Sequence, residues 1–159
     1  MDTKLYHLHA EFWLTPKIYN GSPEIIVRFD NDILYQGLLT ETRCFEIDKN
    51  LPKNQYQISV EFNNKQNSDT DIINNLDKAV IIDRLSFNNI KSDNFKLEGI
   101  YYPDYPEPWA SQQQAQGVVL KPQLPAVTYL GWNGVWRVNF SMPIFTWIHG
   151  VEKLGWIRS

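Results

Sequence analysis

Three histidines, one cysteine and 18 acidic residues are the groups in this 159-residue chain whose types could do acid–base, nucleophilic or metal chemistry. His7 and His9 lie two apart, so on a strand they project from one face. Two imidazoles so placed can hold a metal if a third ligand arrives from elsewhere. The plainer reading is a pair of solvated or hydrogen-bonded histidines. The third, His149, falls in a hydrophobic stretch near the end of the chain. Nucleophilic catalysis needs Ser, Cys or Thr beside a base, and neither a nucleophile elbow nor a glycine-rich phosphate loop occurs. Paired carboxylates could hydrolyse a glycosidic bond, but the Asp and Glu residues are scattered and nothing in the sequence pairs them. The chain therefore reads as a non-enzyme. Cys44 stands alone, which excludes an internal disulfide and a cysteine-based metal cluster. Within Thr42-Arg43-Cys44-Phe45-Glu46-Ile47 it reads as a small core residue. Asp30-Asn31-Asp32 and Asp69-Thr70-Asp71 are oxygen-rich turns. Calcium takes roughly six to eight oxygens; neither turn has the glycine and terminal Glu of an EF-hand, and local backbone hydrogen bonds are reason enough for Asp and Asn in turns.

Aromatic residues are the compositional excess: 14% of the chain, with six Trp, eight Tyr and eight Phe. Rings favour strands, and rigid rings also give contact area at small entropic expense. The segment Tyr101-Tyr102-Pro103-Asp104-Tyr105-Pro106-Glu107-Pro108-Trp109 concentrates them among prolines that remove backbone donors and block helix. Such backbone stays extended and makes no core of its own. It must lie on its own domain, on a neighbouring chain or on a sugar. The same holds for Trp147, Ile148 and Trp156 near the end of the chain. Tyr102, Tyr105, Trp109, Phe145, Trp147 and Trp156 are accordingly the candidate interaction residues.

The elements that must position these groups are strands. Leu5 to Leu14 begins with alternation. Glu24 to Phe29 puts Ile25, Val27 and Phe29 on one face, and Asp30-Asn31-Asp32 turns the chain into Ile33 to Gly37, a hairpin. In Gln55 to Phe62, residues Tyr56, Ile58, Val60 and Phe62 point one way and Gln55, Gln57, Ser59 and Glu61 the other, which means one buried and one wet face. Lys78 to Phe87 and Lys96 to Tyr101 are further strands. Residues 102–125 read as a long extended Pro/Gln-rich arm. Val127 to Phe140 reads as a hairpin turning at Asn133-Gly134, and residues 141–159 as an extended aromatic tail. Short strands with turn signals every eight to twelve or so residues predict an all-β antiparallel sandwich, jelly-roll-like, forming a single domain over 1–159. Net charge is −3, without a Lys/Arg run, which argues against nucleic acid. No apolar stretch approaches the roughly 20 residues of a membrane span. The first residues lack the apolar run of a signal peptide, so synthesis in a cytoplasm is expected.

The stretch from Pro23 to Asn94 resembles the β-sandwich of calcium-dependent, xylan-type carbohydrate-binding modules, and modules of that kind found in structural proteins of tailed bacteriophages. The resemblance is carried by Ile25-Ile26-Val27-Arg28-Phe29-Asp30, by Tyr56 to Lys65, by Asp69-Thr70 and by Val80 to Phe87. Met142-Pro143-Ile144-Phe145-Thr146-Trp147-Ile148 looks like a tail that follows such domains in virion proteins. By that resemblance, Asp69, Asp71 and Asp83 are candidate calcium ligands and glycans a candidate ligand class. The arm and tail, which a free binding module does not need, imply instead a structural part of a tailed-phage virion (tail, baseplate or capsid accessory) that contacts other virion proteins and copies of itself. Localisation in the virion is the corresponding expectation.

Overall fold

The inward face expected of Gln55 to Phe62 is realised, with Tyr56, Ile58, Val60 and Phe62 all buried, but Ser59 on the opposite face is buried as well. These residues form β5 (Gln55–Phe62) in a computed structural model that describes residues 4–153. Trp156 lies outside the described residues. β5 is central to a six-stranded sheet in the order β11 (Leu124–Pro125), β10 (Ile100–Pro103), β13 (Gly134–Ser141), β5, β2 (Glu24–Phe29), β3 (Asp32–Leu38). A second, five-stranded sheet runs β12 (Tyr129–Leu130), β8 (Ala79–Phe87), β1 (Leu5–Lys17), β4 (Arg43–Pro52), with β9 (Ile90–Lys91) also paired to β8. Every pairing is antiparallel. The fold is an all-β sandwich without a closed barrel.

One face of each sheet supplies the core. From the five-stranded sheet come Leu8, Ala10, Phe12 and Leu14 of β1, Phe45 and Ile47 of β4, and Val80, Ile82, Leu85 and Phe87 of β8. The other sheet sends in Ile25, Val27 and Phe29, the four residues of β5, and Trp136, Val138 and Phe140 of β13. In β8 the inward residues change phase between Ile82 and Leu85. The register against β1 steps there, with Trp13 opposite Arg84 and Leu14 opposite Ile82, which leaves Asp83 as the bulged residue. A bulge of one residue flips the faces of everything after it.

Three expectations about the last third of the chain change. First, Val127 to Phe140 is not a hairpin. Tyr129–Leu130 pairs with β8 in one sheet, whereas β13 pairs with β5 and β10 in the other. Asn133-Gly134 is the crossing between the layers, and of its two residues only Gly134 has a left-handed φ, at 152°. Second, the arm is neither wholly extended nor detached. It contains α2 (Trp109–Ala115), started by Ala110 N–H donating to Pro106 O at 2.8 Å, and Tyr105 Oη donates to Lys121 O at 2.7 Å to close the excursion. Third, the tail forms α3 (Ile144–Glu152) after Pro143, ending at Lys153 in a left-handed conformation. Ile144, Trp147, Ile148 and Val151 face the core. That i, i+3, i+4, i+7 stripe is a helical pattern, obscured in the sequence by β-branched and aromatic residue types.

Cys44 is exposed rather than buried. Phe45 and Ile47 take the inward positions of β4, and pleating turns Cys44 outward opposite Trp13. A short helix, α1 (Asp93–Leu97), capped by the Ser92 side chain, buries Phe95 against β8. The two-stranded ribbon β6 (Thr70–Asp71) and β7 (Leu76–Asp77) completes the described chain.

Candidate functional site

β5 ends, β10 ends and β13 begins at one end of the six-stranded sheet, because Gly134 is opposite both Phe62 and Pro103. The loops leaving these strands, the ribbon β6–β7 and α2 enclose a cleft of about 660 Å³. Its apolar walls are Trp109, Trp132 and Tyr129, with Pro106, Pro108 and Ile72 beside them. Trp109 and Trp132 have ring centroids 5.6 Å apart at an interplanar angle of 39°. Tyr105 buttresses both, 6.1 Å from Trp109 and 5.6 Å from Trp132.

Each ring has a local reason for its place. Trp109 opens α2, one residue before Ala110, which is buried against the domain and anchors the helix. Trp132 is held through its backbone: its N–H donates to Tyr101 Oη at 3.2 Å, and the Tyr101 hydroxyl donates back to Trp132 O. Tyr101 is fully buried, and burial pushes its phenol above the ordinary value, so it remains a donor.

The polar floor is equally fixed. The Asp77 carboxylate accepts from Lys65 Nζ, from Thr70 Oγ1 at 2.7 Å and from Tyr129 Oη at 2.5 Å. Burial alone would raise this carboxyl, but the Lys65, Tyr129 and Thr70 donors overcome it and hold Asp77 below the ordinary carboxylate value. Tyr129 is shifted upward, by burial and then by Asp77, and keeps its proton. Lys65 Nζ donates also to Gly131 O at 2.8 Å. Asp104, Gln112 and Asn133 line the cleft beside this network. A site of planar apolar walls over preset donors and acceptors is built to hold a ligand that is itself apolar on a face and polar at its edges.

The residues singled out by sequence are distributed unevenly around this site. Tyr105 and Trp109 belong to it. Tyr102 lies on β10 with the Arg137 guanidinium 4.7 Å above its ring. Trp147 packs within the chain, 5.2 Å from Phe87 and 5.6 Å from Phe95, and Phe145 on the same helix is exposed. Trp132, Tyr129, Lys65 and Asp77 were missed. A Trp in a Gly-Trp-Asn-Gly crossing, where no strand packs it, was the available signal for Trp132. The other three announce themselves only by their tertiary contacts.

The candidate calcium ligands keep to separate networks. Asp69 is buried under the ribbon, paired with Lys78 Nζ at 3.0 Å and accepting from Gln66 N–H at 2.8 Å and Asn20 Nδ2 at 3.2 Å. Burial would raise its carboxyl, but these three donors hold it below the ordinary value. Asp71 accepts from Asn74 in the ribbon turn, which lowers its carboxyl. Asp83, in the β8 bulge, accepts from Thr15 Oγ1. Comparison of the chain with protein-family models, with characterised proteins and with solved structures returned no match.

Proposed function

We propose that this domain is a non-catalytic binding module that holds a carbohydrate in the cleft between Trp109, Trp132 and Tyr129. The observation that carries the reading is the pair of tilted indoles 5.6 Å apart over the fixed Lys65–Asp77–Tyr129 network. A pyranose presents C–H groups on its faces and hydroxyls around its rim. Aromatic walls take the faces, and charged donors and acceptors take the rim with little reorganisation, since their geometry is already set. A glycan array probed with the full chain, with and without a chelator, tests it. Retention of a defined glycan set is the expected result, and its persistence in chelator places the recognition in the rings rather than in calcium. An array that stays blank under both conditions removes the reading.

A second reading, a structural component of a tailed-phage virion, is favoured by the β3 edge. β3 is an outer strand carrying exposed Ile33, Leu34 and Leu38, with Asp32 its one charged residue. Edge strands left this uncharged invite pairing with another chain. In this reading the contact to other virion proteins or to further copies runs through β3, because the rings of the arm are engaged within the chain. Leu34→Lys separates the two readings: it dissolves an oligomer seen by light scattering but leaves glycan retention intact.

A further inference from the structure

We propose that His9, Glu11 and Glu46 form a binding site for one divalent first-row transition-metal ion of the zinc class, on the outer face of the five-stranded sheet. This site is independent of the cleft and lies on other elements.

Strand register creates it. Glu11 of β1 stands directly opposite Glu46 of β4, and His9 lies two residues away on the same face of β1. Two carboxylates directly opposed across a strand pair repel each other, so the arrangement calls for a cation between them. The donor atoms of the three side chains all lie within 4.8 Å of one another. His9 Nε2 is 3.3 Å from Glu46 Oε1 and 3.9 Å from Glu11 Oε1. For metal–ligand bonds of about 2.0–2.1 Å, tetrahedral geometry separates neighbouring donor atoms by about 3.3–3.4 Å. The His9–Glu46 separation is therefore that of two donors on one metal ion, and Glu11, 3.9 Å from His9, joins them by a rotamer adjustment.

The imidazole supplies the second, separate indication. Its Nε2 is buried and makes no hydrogen bond, although two carboxylate oxygens lie within 4 Å. It is thus aligned on neither carboxylate oxygen. A direct imidazolium bridge would align it with one of them. The backbone that carries the ring is pinned: His9 N–H donates to Asn88 Oδ1 at 2.6 Å, and Asn88 N–H donates to His9 O at 2.8 Å.

Cys44 fits as a neighbour of the site, not a ligand. Its thiol lies 3.6 Å from Glu11 Oε2, whereas His9 Nε2 lies 3.9 Å from Glu11 Oε1. One imidazole with two carboxylates suits zinc and its neighbours better than calcium, which would need roughly six to eight oxygens. Three protein donors leave the fourth tetrahedral position to water.

The test is zinc(II) titration of the chelator-treated full chain by calorimetry, with cobalt(II) absorption reporting coordination number. One ion per chain, and a tetrahedral cobalt spectrum, are expected. His9→Ala and Glu46→Gln should each weaken zinc at least about tenfold, as even outer-sphere losses do, while Cys44→Ser and Asp48→Asn leave one ion bound. Circular dichroism reports whether each variant folds, and should His9→Ala fail to, the zinc-induced shift of the His9 ring resonances in the unaltered chain decides. Absence of stoichiometric uptake, uptake that survives both His9→Ala and Glu46→Gln, or uptake removed by Cys44→Ser overturns the proposal.

Discussion

Lys65 and Asn133 hold each other by two reciprocal hydrogen bonds: Lys65 N–H donates to Asn133 Oδ1 at 2.8 Å, and Asn133 Nδ2 donates to Lys65 O at 3.0 Å. An Asn side chain that imitates a strand neighbour in this way joins the loop after β5 to the loop before β13. It holds Lys65 next to the segment that carries Trp132. Asn133→Ala removes both bonds and strands two backbone groups, so it should destabilise the domain by about 1–3 kcal/mol in urea unfolding. It should also loosen the cleft enough to weaken glycan retention. An unchanged unfolding midpoint would mean that the two loops do not depend on this residue.

Asp69 and Lys78 form a buried ion pair beneath the ribbon, each side chain no more than 6% exposed. Asp69→Asn leaves the ammonium buried without its counter-ion, and should cost about 3–5 kcal/mol. The folded-state carboxyls of Asp69 and Asp77 lie below their ordinary value of 3.8. Their contribution is therefore complete above that value and is lost as pH falls through the lower folded values. Thermal stability should be level from neutrality to about pH 5, then decline through pH 4 and below. Asp69→Asn should show a shallower acid decline than the parent, and an equally steep one would assign the acid sensitivity elsewhere.

Gly99 sits against the fully buried Trp136. A Cβ there would lie 2.3 Å from the indole Cε2 and Cζ2 atoms. Gly99→Ala must displace the largest ring of the core, with an expected loss of about 1–3 kcal/mol or more. A denaturant midpoint within experimental error of the parent would show that the ring can move freely.

Trp147 and Phe145 stand on one helix with opposite environments. Trp147 contacts Phe87, Phe95 and Phe140, whereas Phe145 is 52% exposed. Trp147→Ala should cost about 3 kcal/mol, and Phe145→Ala within about 0.5 kcal/mol of nothing. Comparable losses for both would mean that Phe145 is covered by something the isolated chain provides.

The first ninety residues were legible because their strands alternate cleanly. In Tyr56 to Phe62 the inward rings and aliphatics alternate with polar residues, and in Glu24 to Phe29 Ile25, Val27 and Phe29 share the core face. Period two therefore survives in the sequence, although Ile26 and Ser59 on the opposite faces are also buried. The last third was not. Tyr129–Leu130 and Gly134–Ser141 belong to different sheets, a separation that no local pattern records, and Asn133-Gly134 has the composition of a tight turn without forming one. Ile144, Trp147, Ile148 and Val151 had helical spacing, but tertiary burial rather than propensity makes them a helix. Of the cleft, Tyr105 and Trp109 were visible as rings that needed a surface. Lys65, Asp77 and Tyr129 meet only because three separate loops converge. Of the triad His9, Glu11 and Glu46, the spacing of His7 and His9 pointed only to His9; Glu11 shares its face of β1, and Glu46 comes to it through strand register.

Whether the indoles of the cleft hold sugar is decided most directly by affinity electrophoresis in native gels cast with soluble polysaccharides, comparing the unaltered chain with Trp109→Ala. Trp109 is carried on α2 outside the sandwich core, so its loss should leave the fold intact by circular dichroism. The account expects at least one polysaccharide to retard the unaltered chain and to lose its hold, by about tenfold or more, on the variant. Equal migration of the two proteins in every gel, retarded or not, would contradict it.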